Sequence, residues 1–520
     1  MLRPAPTSCE MRLTLIIATL LSPALLASAA SASAPLSYDD ARRLLDRTGF
    51  GATNEEIARY VGMSREDAVR KLIGATRTTA ELPPPAWTSA PGSLRYPRAE
   101  NASEAERKSF QQEQIRKGLE LRGWWIEQML TTASPLTERM TLFWHNHFVS
   151  AQQKVRLAEL MYRQNVTLRA NALGNFGVLL HSIARDPAMV IYLDSAQNRK
   201  GTPNENFARE VMELFTLGEG HYTERDIKEA ARAFTGWSLD RDTGSFVFRR
   251  FIHDYGEKTV LGRSGNLDGD DVLDILLARP ETAEFITRKL WREFISPDPD
   301  EAEVRRIAAR FRSSGYDIGV ALYALLTSDA FYAPESRGAL IKSPVDLVVG
   351  TLHQFALLPG EPVPFAIAVA GMGQNLFSPP NVKGWPGGEA WITSGTLLAR
   401  KQFLDRLFRA GDPLRATQSG GDLLMLASMP MQAQGTNTAQ DEDKARQLRL
   451  MRTMERGFAS VHLDSEAWFE RLHVRDDARA REGAAARVLL AVAPQATPVA
   501  TDDALVIVRQ LVLDAAYQVK

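Results

Sequence analysis

An oxygen-bearing residue followed three positions later by a carboxylate recurs along this chain: Ser37 with Asp40, Thr53 with Glu56, Ser64 with Asp67, and Thr223 with Asp226. In each case the first side chain can accept the orphan amide of a helix's opening turn, and the carboxylate can reach back to the amide of the cap. A chain with such signals is committed to helices, and sustained strand alternation is rare in it. The first three pairs open short amphipathic helices over Ser37–Thr48, Thr53–Val61 and Ser64–Ile73, with Gly49, Gly51 and Gly62 at helix ends.

The helical series continues. Lys108–Leu130 is one segment, and Ser134-Pro135 marks the start of Pro135–Phe148, with proline at the first helical position. Glu159–Arg185 is a long stretch bent at Gly174 and Gly177. Then come Asn206–Leu217, Glu224–Phe234, Asp270–Leu277, Thr282–Phe294, Glu301–Arg312, Ile318–Thr327 and Ser343–Phe355. Only Ser245–Ile252 alternates enough for a short hairpin. Gly360–Glu389, rich in proline and glycine, is expected to be irregular. The expected fold is all-α: one large multi-helical domain with irregular Pro/Gly-rich loops and at most a short hairpin.

The segments divide as follows. Residues 1–32 carry Arg3 and Arg12, an apolar run from Leu13 to Ala27, and A-x-A patterns at Ala27-Ser28-Ala29 and Ala30-Ser31-Ala32, the order of a secretory signal peptide. The run is shorter than the roughly 20 residues of a spanning helix. Residues 36–74 form an N-terminal helical segment, and 75–104, with Pro83-Pro84-Pro85, a linker or surface excursion. Residues 105–417 form the main helical domain, 418–443 a mobile segment, and 444–520 the C-terminal helices. The expected location is periplasmic or extracellular. The single cysteine, Cys9, precedes the apolar run. Cleavage after that run leaves no thiol, and so no disulfide, thiolate zinc site or cysteine nucleophile. A net charge of −1 without a basic stripe argues against nucleic acid.

Several blocks carry side chains suited to chemistry. In Phe143-Trp144-His145-Asn146-His147-Phe148, two histidines two positions apart would share a metal on a strand; on a helix they point about 200° apart, one toward the core and one away. In the block from Asn204 to Phe215, Phe207, Val211, Leu214 and Phe215 form an apolar stripe. Glu205, Arg209 and Glu213 stack beside it at four-residue steps, with Asn206 and Glu210 close by. That row is either a solvated ion-pair face or a carboxylate-lined pocket with Glu210 and Glu213 as general bases or metal ligands. His221 precedes the Thr223 cap. His253-Asp254 with Lys258 suits either acid–base work or a polar turn. In Asn381-Val382-Lys383-Gly384-Trp385 and beyond it, Trp385 and Trp391 are either core plugs or a stacking platform for a sugar ring. His181 sits in an apolar stretch as a core histidine, and His353, His462 and His473 lack supporting neighbours. No H-E-x-x-H, G-x-S-x-G, Walker A or G-x-G-x-x-G motif is present.

Together, Phe143–Phe148, Asn204–Trp237, His253-Asp254 with Lys258-Thr259, Ile341-Lys342-Ser343-Pro344, Met372-Gly373-Gln374 and Asn381–Gly388 resemble the signature blocks of domain-of-unknown-function family 1800 (DUF1800). The resemblance spans nearly the whole chain after Leu36 and departs most after Gln418. It implies an exported bacterial protein with no assigned reaction or cofactor. It also implies a partner from the DUF1501 family, sulfatase- or phosphatase-like proteins encoded beside such chains. Two functions follow as expectations. One is a binding or accessory module that uses Asn204, Glu205, Asn206, Arg209, Trp237, His253, Asp254, Lys383 and Trp385. The other is a metal-dependent or acid/base hydrolase whose catalytic candidates are His145, His147, Glu210, Glu213 and His221.

Overall fold

The computed structural model describes residues 34–89, 101–409, 452–474 and 477–520. The signal segment 1–32, the expected mobile segment 418–443 and residues 90–100 of the Pro-rich stretch lie outside the described residues. The N-terminal caps behave as their chemistry requires. Ser37, Thr53 and Ser64 accept from Asp40, Glu56 and Asp67 and open α1 (Tyr38–Thr48), α2 (Asn54–Ala58) and α3 (Arg65–Gly74). The described part of the Pro-rich stretch lies along α4 (Glu104–Thr131): Trp87 Nε1 donates to Glu120 at 3.0 Å, and the Leu82 amide to Gln128 at 2.9 Å.

α5 (Pro135–His147), α6 (Gln152–Val155), α7 (Ala158–Ala170), α8 (Phe176–Ala184) and α9 (Pro187–Tyr192) follow. The expected bend in Glu159–Arg185 is a full break, because Asn175 caps a new helix by accepting from the Val178 amide at 3.0 Å. α10 (Asn206–Glu210) runs into a π-helical turn at Val211–Thr216, and α11 (Glu224–Ala233) starts at the Thr223–Asp226 capping box. The expected hairpin is displaced. β2 (Phe246–Phe248) pairs antiparallel with β1 (Trp237–Leu239), and a second ribbon, β3 (Lys258–Val260) with β4 (Arg263–Gly265), adds a strand pair that the alternation did not reveal. These ribbons of three-residue strands are too short for a period of two to show.

α12 (Gly269–Ala278), α13 (Pro280–Phe294), α14 (Glu301–Ser313), α15 (Ile318–Leu326), α16 (Asp329–Tyr332) and α17 (Pro344–Gln354) complete the central series. Within the expected irregular stretch, Val363–Gly371 forms α18, almost wholly apolar, with proline at its start. α19 (Ser394–Arg409) precedes α20 (452–459), α21 (Ser465–Arg471), α22 (Ala478–Leu489) and α23 (Ala504–Leu513). The all-α class holds. Among the described residues no helix is long and apolar enough to cross a membrane.

The apolar side chains form two cores. One gathers α1–α3, α8, the π turn and α11–α16; the other gathers α4, α17–α19 and the C-terminal helices. α5 lies between them. Leu136, Met140, Phe143 and Trp144 enter the first core and Leu142 the second, so only Pro135 and Asn146 of this helix are even partly exposed. A fully buried pair fixes α5 to α4 and α7. Glu138 accepts from Arg169 Nε at 2.7 Å and Nη2 at 2.9 Å, from Trp125 Nε1 at 2.9 Å and from Gln128 Nε2 at 3.2 Å. Paired and fully hydrogen-bonded is the condition under which a buried charge is tolerated.

Candidate functional site

At Glu210 the helix widens. Leu217 N and Gly218 N both donate to Met212 O, at 2.9 and 3.2 Å, and Thr216 Oγ1 donates back to Val211 O at 2.5 Å. Gly218 then turns the chain out of the helix at φ +81°, a conformation other residues rarely adopt. π turns are uncommon and recur at functional sites. Here two carbonyls of the turn accept from side chains on neighbouring helices. Phe215 O lies 3.1 Å from His147 Nε2, and Leu214 O accepts from Lys289 Nζ at 3.3 Å. Lys289 Nζ also lies 3.0 Å from His147 Nδ1. A lysine can only donate, so Nδ1 accepts and Nε2 carries the proton that bonds Phe215 O. Burial, reinforced by Lys289, holds His147 well below the usual imidazole range, and it is neutral. Burial, with Arg292 nearby, lowers Lys289 to about 8.

His145 leaves the same helix toward the other core. Its Nε2 accepts from the Phe377 amide at 3.2 Å, and its ring packs among Trp125, Phe377 and Trp385. Burial, with a contribution from Arg122, lowers it to about 3. The expectation that one histidine faces away from the core is corrected: both are buried, because α5 separates two cores rather than bordering one. Asn146 between them anchors the glycine- and proline-rich loop. Its Oδ1 accepts from Trp385 N at 2.7 Å and its Nδ2 donates to Trp385 O at 3.4 Å. Gly384, at φ +83°, lies so close that a Cβ there would sit 2.3 Å from Asn146 Oδ1. The histidine helix, the π turn and the 381–388 loop therefore meet. They meet through backbone contacts, and neither histidine bonds to Glu210 or Glu213.

Facing outward from the π turn is a charged ledge. Arg209 forks onto Glu224 with two bonds of 2.8 Å and reaches Glu205 at 3.4 Å. Glu213 accepts from Tyr222 OH at 2.7 Å. Glu210 is half-buried, and burial, with Glu213 adding repulsion, pushes its carboxyl above the usual range. Lys383 leans toward Glu219 at 3.7 Å, and His221 is exposed on the same loop as Glu219. Asn204 Oδ1 accepts from the Asn206 amide at 2.9 Å and so shapes the entry to α10, while the Asn206 side chain is exposed.

The other candidates have structural partners. Trp237 packs against Phe207, Phe234 and Phe246, and both it and Trp385 are 4% exposed, so neither offers a face to a sugar. His253 Nδ1 bonds Thr235 O at 2.7 Å. Asp254 pairs with Arg232 at 2.8 Å, which holds its carboxyl at about 2. Lys258 is buried and donates to Gly256 O at 3.0 Å. His181 is not a core histidine; it is partly exposed between Asp270 and Asp274, at 3.0 and 3.1 Å. His353, which had no sequence neighbour to support it, bonds Glu56 Oε2 at 2.9 Å. Sequence reasoning missed Lys289, Tyr222 and Glu138. The available signal for Lys289 was its place three residues after Ile286, at the edge of the buried stripe of α13.

These features define a large all-α protein in which a π turn is clamped from beneath by a neutral, buried histidine and a part-buried lysine and presents carboxylates above. Among the described residues no group of three side chains is placed to hold a metal ion. The chain belongs to the DUF1800 family, described as a protein of unknown function, which it matches over residues 43–507. No curated protein and no solved structure matches it.

Proposed function

We propose that this chain is an exported binding or accessory module whose ligand face is the ledge formed by Arg209, Glu210, Glu213, Glu219 and Lys383, and that it acts with a partner protein. One observation carries this reading: His145, His147 and His253 are buried and bonded to backbone, whereas Glu210 and Glu213 at the π turn are only partly buried. Side chains fixed in this way shape a surface; they do not shuttle protons to a substrate. The leader-like residues 1–32 support export. The family resemblance points to a DUF1501-family protein as the partner, with donor-rich groups opposite the ledge. The test is calorimetric titration of the protein with a DUF1501-family protein. Saturable binding that weakens in Glu210→Gln/Glu213→Gln supports the proposal. Absence of binding, or equal affinity in the double variant, overturns it.

A second reading, an acid/base hydrolase, is favoured by one feature: two carboxylates, Glu210 and Glu213, stand side by side, and burial with repulsion from Glu213 raises Glu210 above the usual carboxylate range. Turnover of ester or glycoside substrates that is abolished by Glu210→Gln would establish it in place of the first.

A further inference from the structure

We propose that the cavity between α1, the Arg337–Gly338 turn, Ala491 and Lys520 binds a small monovalent anion, a halide or a carboxylate group. The cavity is lined by Asp39, Arg42, Arg43, Asp46, Arg337, Gly338, Ala491 and Lys520. Its volume is about 40 Å³, where a single water needs roughly 10–15 Å³. It therefore has room for one small anion and is too tight for a bulky one.

Two arginines of its wall carry donors that no acceptor meets. Arg43 is 7% exposed; its Nη1 donates to Ala333 O at 3.1 Å, while its Nε and Nη2 have no partner among the described residues. Arg42 is 6% exposed; one of its amino groups bonds Leu490 O and its Nε has no partner. Unsatisfied buried guanidinium groups are costly, and they are the donors that recognise anions in the plane of the fork.

The carboxylates nearby are mostly engaged elsewhere. Asp39 faces Arg487 at 3.9 Å, Asp40 faces Arg337 at 3.7 Å, and Asp346 holds Lys520 at 2.9 Å. Asp46 alone stays at the wall without an ion pair; its Oδ1 has no partner, and burial raises its carboxyl above the usual range. Asp46 lies within the field of Arg42, and Asp40 within that of Arg43, but neither carboxylate closes an ion pair with either arginine, and the arginine donors stay open. Burial, with Arg337 adding repulsion and Asp40 opposing it, lowers Arg43 to about 10. Lys342, packed 3.6 Å over the Tyr517 ring, is likewise lowered to about 8 by burial. An anion in the cavity would satisfy the free arginine donors and join the first helix to the C-terminal segment.

The test is the melting temperature of the mature protein at fixed ionic strength, with sodium gluconate, too large for the cavity, replaced stepwise by chloride or by formate. A saturable rise is expected, and the two titrations distinguish a halide from a carboxylate occupant. Arg43→Gln should weaken half-saturation by about tenfold, the loss of one charged hydrogen bond. Should that variant not fold, Arg337→Gln, which gives up only a half-exposed side chain and its contact with Asp40, should weaken the response while leaving the fold intact. A melting temperature indifferent to both anions means the cavity holds only water and overturns the proposal. So does an equal response in wild type and Arg337→Gln.

Discussion

Lys289→Met tests the clamp beneath the π turn. Lys289 is lowered from 10.5 to about 8. The folded protein therefore binds fewer protons than the unfolded chain between those two values. Stability rises with pH wherever the unfolded state binds more protons, so the wild type gains stability as pH rises from about 8 to 10.5. At about 1.4 kcal/mol for each unit of pKa the gain is about 3 kcal/mol. Below pH 8 the ammonium's desolvation opposes its bonds to Leu214 O and His147 Nδ1. The variant loses both that cost and bonds worth about 1.5–3 kcal/mol. Near pH 7 the two proteins should thus differ little. Above pH 10.5 the wild type keeps the bonds of a neutral amine without the cost, and it should exceed the variant by about 3 kcal/mol. Urea denaturation followed by tryptophan fluorescence from pH 7 to 10.5 measures the difference, and titrations common to both proteins cancel. Parallel curves for the two proteins would show that Lys289 ionises as in water and that the clamp is not buried.

Glu138→Ala should cost about 4–6 kcal/mol in urea denaturation, because it leaves the Arg169 charge buried with the Trp125 and Gln128 donors unpaired. Glu138→Leu/Arg169→Met should recover most of that loss, and a double variant as unstable as the single would refute the pairing argument. Gly384→Ala should destabilise by at least about 1–3 kcal/mol, from strain at positive φ and the clash with Asn146. It should also speed proteolysis of the 381–388 loop, and cleavage at the wild-type rate would show that the loop is not seated on α5.

The parts of this protein legible in its sequence are those whose cause is local. A helix cap is decided within four residues, so Ser37, Thr53, Ser64 and Thr223 announced their helices, and with them the all-α class. The blocks that carry polar side chains, Phe143–Phe148, Asn204–Phe215 and Asn381–Trp385, were legible. The roles of their side chains were not. His145 and His147 diverge because they lie two apart on a helix, which the sequence states. That both are buried follows from two cores closing over α5 from opposite sides, a matter of contacts with Phe215, Lys289, Phe377 and Trp385, far away in sequence. The same holds for Lys289, Tyr222 and the Arg43 cavity. Hydrogen-bond partners and desolvation are set by which helices pack together, and a periodicity of 3.6 residues specifies a face without specifying what will cover it.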